Sequence, residues 1–225
     1  MVETTNRSEA PILRFGPVER GLHWVNAVLF FVVMLTGAIL YVGPLSALVG
    51  RRELIRNLHV YTGIVLPLPV LLAVIGRHGA RLRRDFAALN RFAPGEARWF
   101  RARTRGSVRL GKFNPGQKLN AVFIAAAGIV MLATGSIMKW FSLFPIDWRT
   151  GATFVHDWFA LGIWLAVIGH VVFAYKDPVA LGGMVRGSVS AAWARRERPR
   201  WYEAEIDAGA TGAVPHDSGE SDAPR

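Results

Sequence analysis

Four long apolar runs constrain this chain more than any other feature of its sequence. They cover residues 22–42, 57–76, 119–138 and 151–175, and apart from histidines Asp157 is the only acidic or basic residue within them. A helix needs about 20 apolar residues, at a rise of about 1.5 Å each, to cross a bilayer. The sequence therefore predicts an all-α integral membrane protein, a bundle of four helices. The first run follows a polar segment, is longer than a signal-peptide core and is followed by no obvious small-residue cleavage site, so it is predicted to be a retained helix. Pro67 and Pro69 predict a kink in the second run.

Basic residues are concentrated between and beyond these runs. The chain is 52% hydrophobic yet has a net charge of +11, so apolar and basic residues are segregated. Long charge-free runs are typical of membrane proteins and argue against a nucleic-acid-binding protein. The sequence contains no cysteine, which excludes disulfides, thiolate metal sites and ligated iron–sulfur clusters within it.

The distribution of Lys and Arg predicts the orientation of the helices. Residues 77–118 carry twelve of them and the segment from Lys176 onward carries seven, whereas the other two connections carry few. By the positive-inside rule, both termini and the 77–118 loop are predicted to be cytoplasmic, in the inner membrane of a bacterium. The aromatic and basic side chains of that loop indicate contact with acidic lipid headgroups rather than nucleic acid.

These features predict four regions. Residues 1–21 form a cytoplasmic N-terminal segment, and residues 22–176 form the four-helix domain, including the basic loop 77–118. Residues 177–202 are predicted as a basic cytoplasmic surface segment with a helix after Pro178. Residues 203–225 are rich in Gly, Ala, Asp and Ser and are predicted to be a disordered tail.

Four histidines within or beside the apolar runs form two predicted pairs. His156 and His170 are fourteen residues apart, about 1400° of helical rotation, which returns to within about 40° of the same face and separates them by about 21 Å. His23 lies at the depth of His170, towards the cytoplasm, and His59 lies at the depth of His156, towards the opposite side. We call these the inner pair and the outer pair.

Two imidazoles on facing helices can fill both axial positions of a haem iron. A zinc site usually needs additional ligands, which these pairs do not supply. Taken singly, each histidine is better explained by interfacial hydrogen bonding, but four ionisable side chains in two matched levels favour two haems ligated between helices. His78 and His216 do not join this pattern. Gly37 and Gly63 are predicted either to leave space beside a macrocycle or to allow close helix packing.

The sequence also resembles a known family. The segments "RFGPVERGLHW", "LHVYTG" and "GKFNPGQKLN", followed by His156 and His170, resemble the cytochrome b (gamma) subunit of membrane-bound respiratory formate dehydrogenase. The resemblance covers roughly residues 14–193 and all four candidate ligands.

The resemblance implies two b-type haems and a quinone site beside the inner one. By that resemblance His59 and His156 bind the outer haem iron, His23 and His170 bind the inner, and Asn114, Gly116 and His170 contact the quinone. From its own chemistry, "FNPG" is equally a good turn signal with a structural use, and Gln117 or Lys118 could help supply protons.

The resemblance further implies a division of labour among subunits. This chain would carry electrons from a periplasmic iron–sulfur (beta) subunit to quinone, and a catalytic (alpha) subunit containing molybdenum or tungsten would oxidise formate. The chain would thus be a subunit of a quinone-reducing oxidoreductase. Two alternatives remain at this level: the cytochrome b subunit of another quinone-linked complex, of the nickel-iron hydrogenase or thiosulfate reductase type, and a haem-free membrane anchor.

Overall fold

The computed structural model describes residues 10–76, 79–101 and 103–210, with side chains described to residue 206. His78 and His216 lie outside these ranges. In chain order the helices and strands are β1 (Ile12–Leu13), α1 (Pro17–Tyr41), α2 (Gly43–Val49), α3 (Arg52–Val65), α4 (Leu68–Ile75), α5 (Ala80–Asn90), α6 (Pro115–Lys139), α7 (Ile146–Lys176), α8 (Pro178–Arg186), β2 (Ser188–Val189), α9 (Ala191–Glu197) and α10 (Pro199–Ala210). Short 3₁₀ helices lie at Glu96–Phe100, Arg105–Ser107 and Phe141–Leu143.

Within the described part of the chain, four helical spans are long and apolar enough to cross a membrane, which agrees with the predicted number. They are α1, α3 continued by α4, α6 and α7. The second span is interrupted between Val65 and Leu68, at the predicted proline kink. At most 11% of the central residues of any span are buried within the chain, so most of their apolar side chains face outward, as lipid contact requires.

The four spans pack as two antiparallel pairs. In the first pair α1 packs against α3 and α4, and in the second α6 packs against α7. Contact between α3 and α6 joins the two pairs. Each span begins before the apolar run that predicted it. At α6 the cause is local: Asn114 caps the helix, and Pro115 supplies a φ angle suited to its first turn. The last four residues of the predicted 77–118 loop therefore belong to α6.

The N-terminal segment, the basic loop and the C-terminal segment meet at one end of the bundle. β1 pairs antiparallel with β2, and the backbone N–H of Arg200 donates to the carbonyl of Leu110 at 3.1 Å. Arg14 is only 2% exposed, and its guanidinium lies 4.9 Å from the Trp193 ring centroid. These contacts place the three segments on the same side of the four spans.

The C-terminal segment differs from its prediction in two respects. Residues 177–202 are not a single surface helix, because Gly187 adopts a left-handed conformation (φ 98°) that ends α8 and leads into β2. Val189, Trp193, Ala194 and Trp201 form a small hydrophobic core within this segment. Helix α10 then continues to Ala210, through residues predicted to begin the disordered tail, because buried Trp201 anchors it and the Trp201 Nε1–H donates to Glu205.

Candidate functional site

The outer pair consists of His59 on α3 and His156 on α7. Their ring centroids are 6.3 Å apart and the ring planes are inclined at 68°. The two imidazoles therefore face one another across the interior of the bundle, at the end opposite the extramembrane core.

The inner pair consists of His23 on α1 and His170 on α7. Their centroids are 6.2 Å apart, with an interplanar angle of 57°. Helix α7 thus contributes one histidine to each pair, and the fourteen residues between them correspond to about 21 Å along its axis. The structure brings the four histidines together in the two pairs that the helical geometry predicted.

Both pairs have dimensions suited to a metal ion held between two imidazoles. A first-row metal binds an imidazole nitrogen at about 2.0–2.1 Å, so two such bonds and two half-rings separate the centroids by about 6 Å. Among the described residues, no cluster of three or more His, Cys, Asp or Glu side chains could hold a metal ion. Two protein ligands per site suit a haem iron, whose macrocycle supplies the remaining ligands.

Each histidine of the outer pair is held by a threonine on the neighbouring helix. Thr36 Oγ1 on α1 lies 3.1 Å from His59 Nδ1, and Thr134 Oγ1 on α6 lies 2.9 Å from His156 Nδ1. Both threonines are at least 92% buried, with exposures of 4% and 8%. They fix the rotation of the two rings.

A glycine follows each threonine and lies against the same imidazole. A Cβ atom at Gly37 would lie 3.2 Å from His59 Cε1, and one at Gly135 would lie 3.5 Å from His156 Cε1. Gly37 therefore lies beside the outer pair. A Cβ at Gly63 would meet nothing within 4 Å.

The sequence interpretation missed both threonines. The signal was a repeated Thr-Gly dipeptide, "LTGAI" at 35–39 in the first span and "ATGSI" at 133–137 in the third. Its meaning depends on how far each helix is rotated towards its neighbour, which the sequence pattern does not specify.

The candidate quinone residues lie at the start of α6. Asn114 Oδ1 accepts from the backbone N–H of Gln117 at 2.8 Å, and Gln117 Oε1 accepts from the backbone N–H of Asn114 at 2.9 Å. This reciprocal capping box uses both side-chain oxygens and leaves the amide hydrogens of Asn114 as donors without a partner among the described residues. Gly116 lies under Trp99, whose ring a Cβ would approach to 3.2 Å.

Lys118 is held in a buried ion pair rather than free at the surface. Its Nζ donates to Glu96 Oε2 at 2.6 Å and to the carbonyl of Arg91 at 2.8 Å. The two side chains are 6% and 2% exposed. Glu96 also lines a surface cavity together with Arg98, Arg109 and Arg200.

A second, partly buried ion pair joins α5 to the segment before α6. Lys112 Nζ lies 2.6 Å from Asp85 Oδ1. Burial raises the pKa of Asp85, and the charge of Lys112 opposes that rise. Burial lowers the pKa of Arg14 to about 10, and repulsion from Arg198 adds to this effect. Charged side chains at this end of the bundle therefore take part in its packing.

Comparison with known proteins identifies the family. The family model described as prokaryotic cytochrome b561 matches residues 14–187. The chain belongs to this family. The match includes all four spans and all four paired histidines, so the protein is a membrane cytochrome of the b type, and the family implies haem b as its cofactor.

Relatives of this cytochrome include subunits of formate dehydrogenases. The chain is 27% identical over 213 residues to the formate dehydrogenase cytochrome b556 subunit of Haemophilus influenzae, covering 91% of this chain and 87% of that one. It is 27% identical over 201 residues to the nitrate-inducible formate dehydrogenase cytochrome b556(Fdn) subunit of Escherichia coli K12, covering 85% and 90%. The cytochrome b556(fdo) subunit of the same organism is 26% identical over 206 residues, covering 85% and 92%.

Proposed function

We propose that this protein is the di-haem electron-transfer subunit of a respiratory formate dehydrogenase. It would pass electrons from a periplasmic iron–sulfur subunit, itself supplied by a molybdenum- or tungsten-containing catalytic subunit, to quinone on the cytoplasmic side of the inner membrane. The observation that carries the proposal is the placement of two facing histidine pairs at opposite ends of α7. The similarity to formate dehydrogenase subunits supplies the donor.

The histidines have separate tasks in this proposal. Haem b, when bound, supplies one-electron redox chemistry. His59 and His156 would hold the outer haem, and His23 and His170 the inner one. Because α7 contributes to both sites, it fixes their separation across the membrane. Since inward electron transfer moves charge across the membrane and protons are taken up at the inner side, the process is electrogenic, worth about 2.3 kcal/mol per charge and 100 mV.

Asn114 would orient the quinone beside the inner site. Its amide N–H groups remain available as donors after the capping box is formed, and a quinone carbonyl is a matching acceptor. Gly116 leaves room for the Trp99 ring, which would form a neighbouring wall of the site, and His170 would complete the site on the side of the inner haem.

Protons would enter through the basic loop that leads into α6. Glu96 lies at an arginine-lined surface cavity and binds buried Lys118, one turn after Asn114. Gln117, which shares the capping box with Asn114, lies between them in sequence. This arrangement gives a chain of polar groups from the predicted cytoplasmic surface towards the start of α6.

Asn114→Ser is expected to separate capping from quinone binding. Serine is a good N-cap residue, so the free energy of unfolding should change by less than about 0.5 kcal/mol, whereas Asn114→Ala should cost about 1 kcal/mol. Both variants lose the amide donor and should raise the Michaelis constant for quinone. If Asn114→Ser binds and reduces quinone like the parent protein, the amide has no role in binding.

The assignment to formate dehydrogenase is tested by the subunits that purify with the chain. Expression of a tagged chain in its native host should yield a complex that contains molybdenum or tungsten and reduces quinone with formate. A complex that contains nickel and oxidises hydrogen instead would replace formate dehydrogenase by a hydrogenase and leave the electron-transfer role intact.

A further inference from the structure

The outer histidines have a hydrogen-bonding environment that determines which ring nitrogen carries the proton. Thr134 Oγ1 lies 2.7 Å from the carbonyl oxygen of Val130, and only the hydroxyl can donate in that contact. Its single hydrogen is therefore engaged, and its lone pairs accept the Nδ1–H of His156 at 2.9 Å.

His59 has a similar hydrogen-bonding environment. Thr36 Oγ1 donates to the carbonyl of Val32 at 2.6 Å and lies 3.1 Å from His59 Nδ1. That Nδ1 also lies 3.1 Å from the carbonyl of Val33, which can only accept. Both outer rings are therefore Nδ1–H tautomers, and the Nε2 lone pair of each is left for a metal.

The inner pair lacks this arrangement. Within the described residues, the rings of His23 and His170 have no hydrogen-bond partner, although each contacts the other. The two sites thus differ in the groups behind their ligands, while their centroid separations are nearly equal at 6.2 and 6.3 Å.

We propose that Thr36 and Thr134 are positioning residues that hold the outer histidines as Nδ1–H donors and thereby lower the reduction potential of the outer haem. This inference rests on the proposed function, because it takes the histidines as haem ligands. A hydrogen bond from Nδ1–H to an oxygen makes Nε2 more basic, and a more basic axial ligand stabilises ferric over ferrous iron. A lower potential at the outer site favours passage of electrons towards the inner one.

The test is a potentiometric titration of the purified, haem-loaded protein, followed optically and by electron paramagnetic resonance. His156→Ala identifies the signals of the outer haem by their loss. Thr134→Val, which keeps the side-chain shape and removes the hydroxyl, should shift the midpoint of the outer haem upward and leave the inner midpoint unchanged. Thr134→Ser should restore the parent value.

Thr36→Val should give a smaller upward shift, because the Val33 carbonyl still accepts from His59 Nδ1. The matched control is Thr153→Val on α7, since Thr153 Oγ1 donates to the Arg149 carbonyl and, among the described residues, forms no hydrogen bond with a paired histidine. Loss of the outer haem from Thr134→Val, with its retention in Thr134→Ser, would equally support the positioning role.

An outer midpoint that stays unchanged or falls in Thr134→Val, with full haem content, would overturn the inference. So would an equal shift in Thr153→Val. These results leave the proposed function standing, because the parent protein would still hold two haems. A parent protein without haem would overturn the proposed function and this inference together.

Discussion

A chain carrying His156→Ala is expected to bind about one haem b per polypeptide instead of about two, and to lose quinone reduction. His156 is the only histidine that faces His59 in the described structure, at 6.3 Å between centroids. Alanine provides no ligand, and a single imidazole does not complete the outer site. Haem content is measured by the pyridine haemochromogen assay, and quinone reduction is measured in the assembled complex.

The partner subunits provide the control for this variant. Formate oxidation with an artificial electron acceptor should survive, because it needs no passage of electrons through this chain. His170→Ala should remove the inner haem instead, and the two variants should therefore retain different optical signals. Quinone reduction at the parent rate in His156→Ala, with full haem content, would show that the outer pair does not lie on the electron path.

Glu96→Gln is expected to destabilise the protein by about 3–5 kcal/mol, because it leaves the buried charge of Lys118 without its partner. The Lys118 side chain is 6% exposed and that of Glu96 is 2% exposed. The Arg91 carbonyl still accepts from Lys118 Nζ, but it is neutral and replaces no charge. The free energy of unfolding is measured by denaturant titration in detergent, followed by circular dichroism.

The exposed pair of Arg109 and Glu203 offers a matched control. Its side chains are 63% and 54% exposed, so Glu203→Gln should cost less than about 1 kcal/mol. The double variant Glu96→Gln with Lys118→Met should recover part of the lost stability, since no unpaired charge then remains. Equal effects of Glu96→Gln and Glu203→Gln would contradict the structural role of the buried pair.

Hydropathy and helical periodicity were sufficient to predict the membrane bundle. The four apolar runs predicted the four spans, and the two prolines predicted the break between α3 and α4. The spacing of His156 and His170, combined with the orientation predicted from Lys and Arg, correctly paired each histidine with the neighbour that it has in the structure. These successes share a cause: each depends on distance along one helix or depth in the membrane.

The extramembrane end could not be predicted in the same way. β1 and β2 are two residues each and are about 175 residues apart in sequence, so neither has a detectable pattern. Arg14, Glu96 and Lys118 are charged, and charged residues are mostly exposed to water, yet each of these residues as a whole is at most 5% exposed. Their burial depends on partners from distant segments, and a charge in sequence does not reveal its partner.

Side-chain contacts between the spans could not be predicted from the sequence either. Thr36 and Thr134 are ordinary residues of apolar helices until the rotation of α1 and α6 turns them towards His59 and His156. Asn114 was predicted to bind quinone or to form a turn, and the structure shows its side-chain oxygen in a helix cap. The resemblance therefore indicated Asn114 as a candidate for quinone binding, and the structure shows that its amide hydrogens have no partner among the described residues.

The reduced-minus-oxidised optical spectrum of the purified chain, with haem quantified per polypeptide, decides whether the paired histidines bind haem. The expectation is two low-spin b-type haems in each chain, one for each histidine pair. A colourless protein from haem-sufficient cells would contradict it and would make the paired histidines packing residues of a membrane anchor.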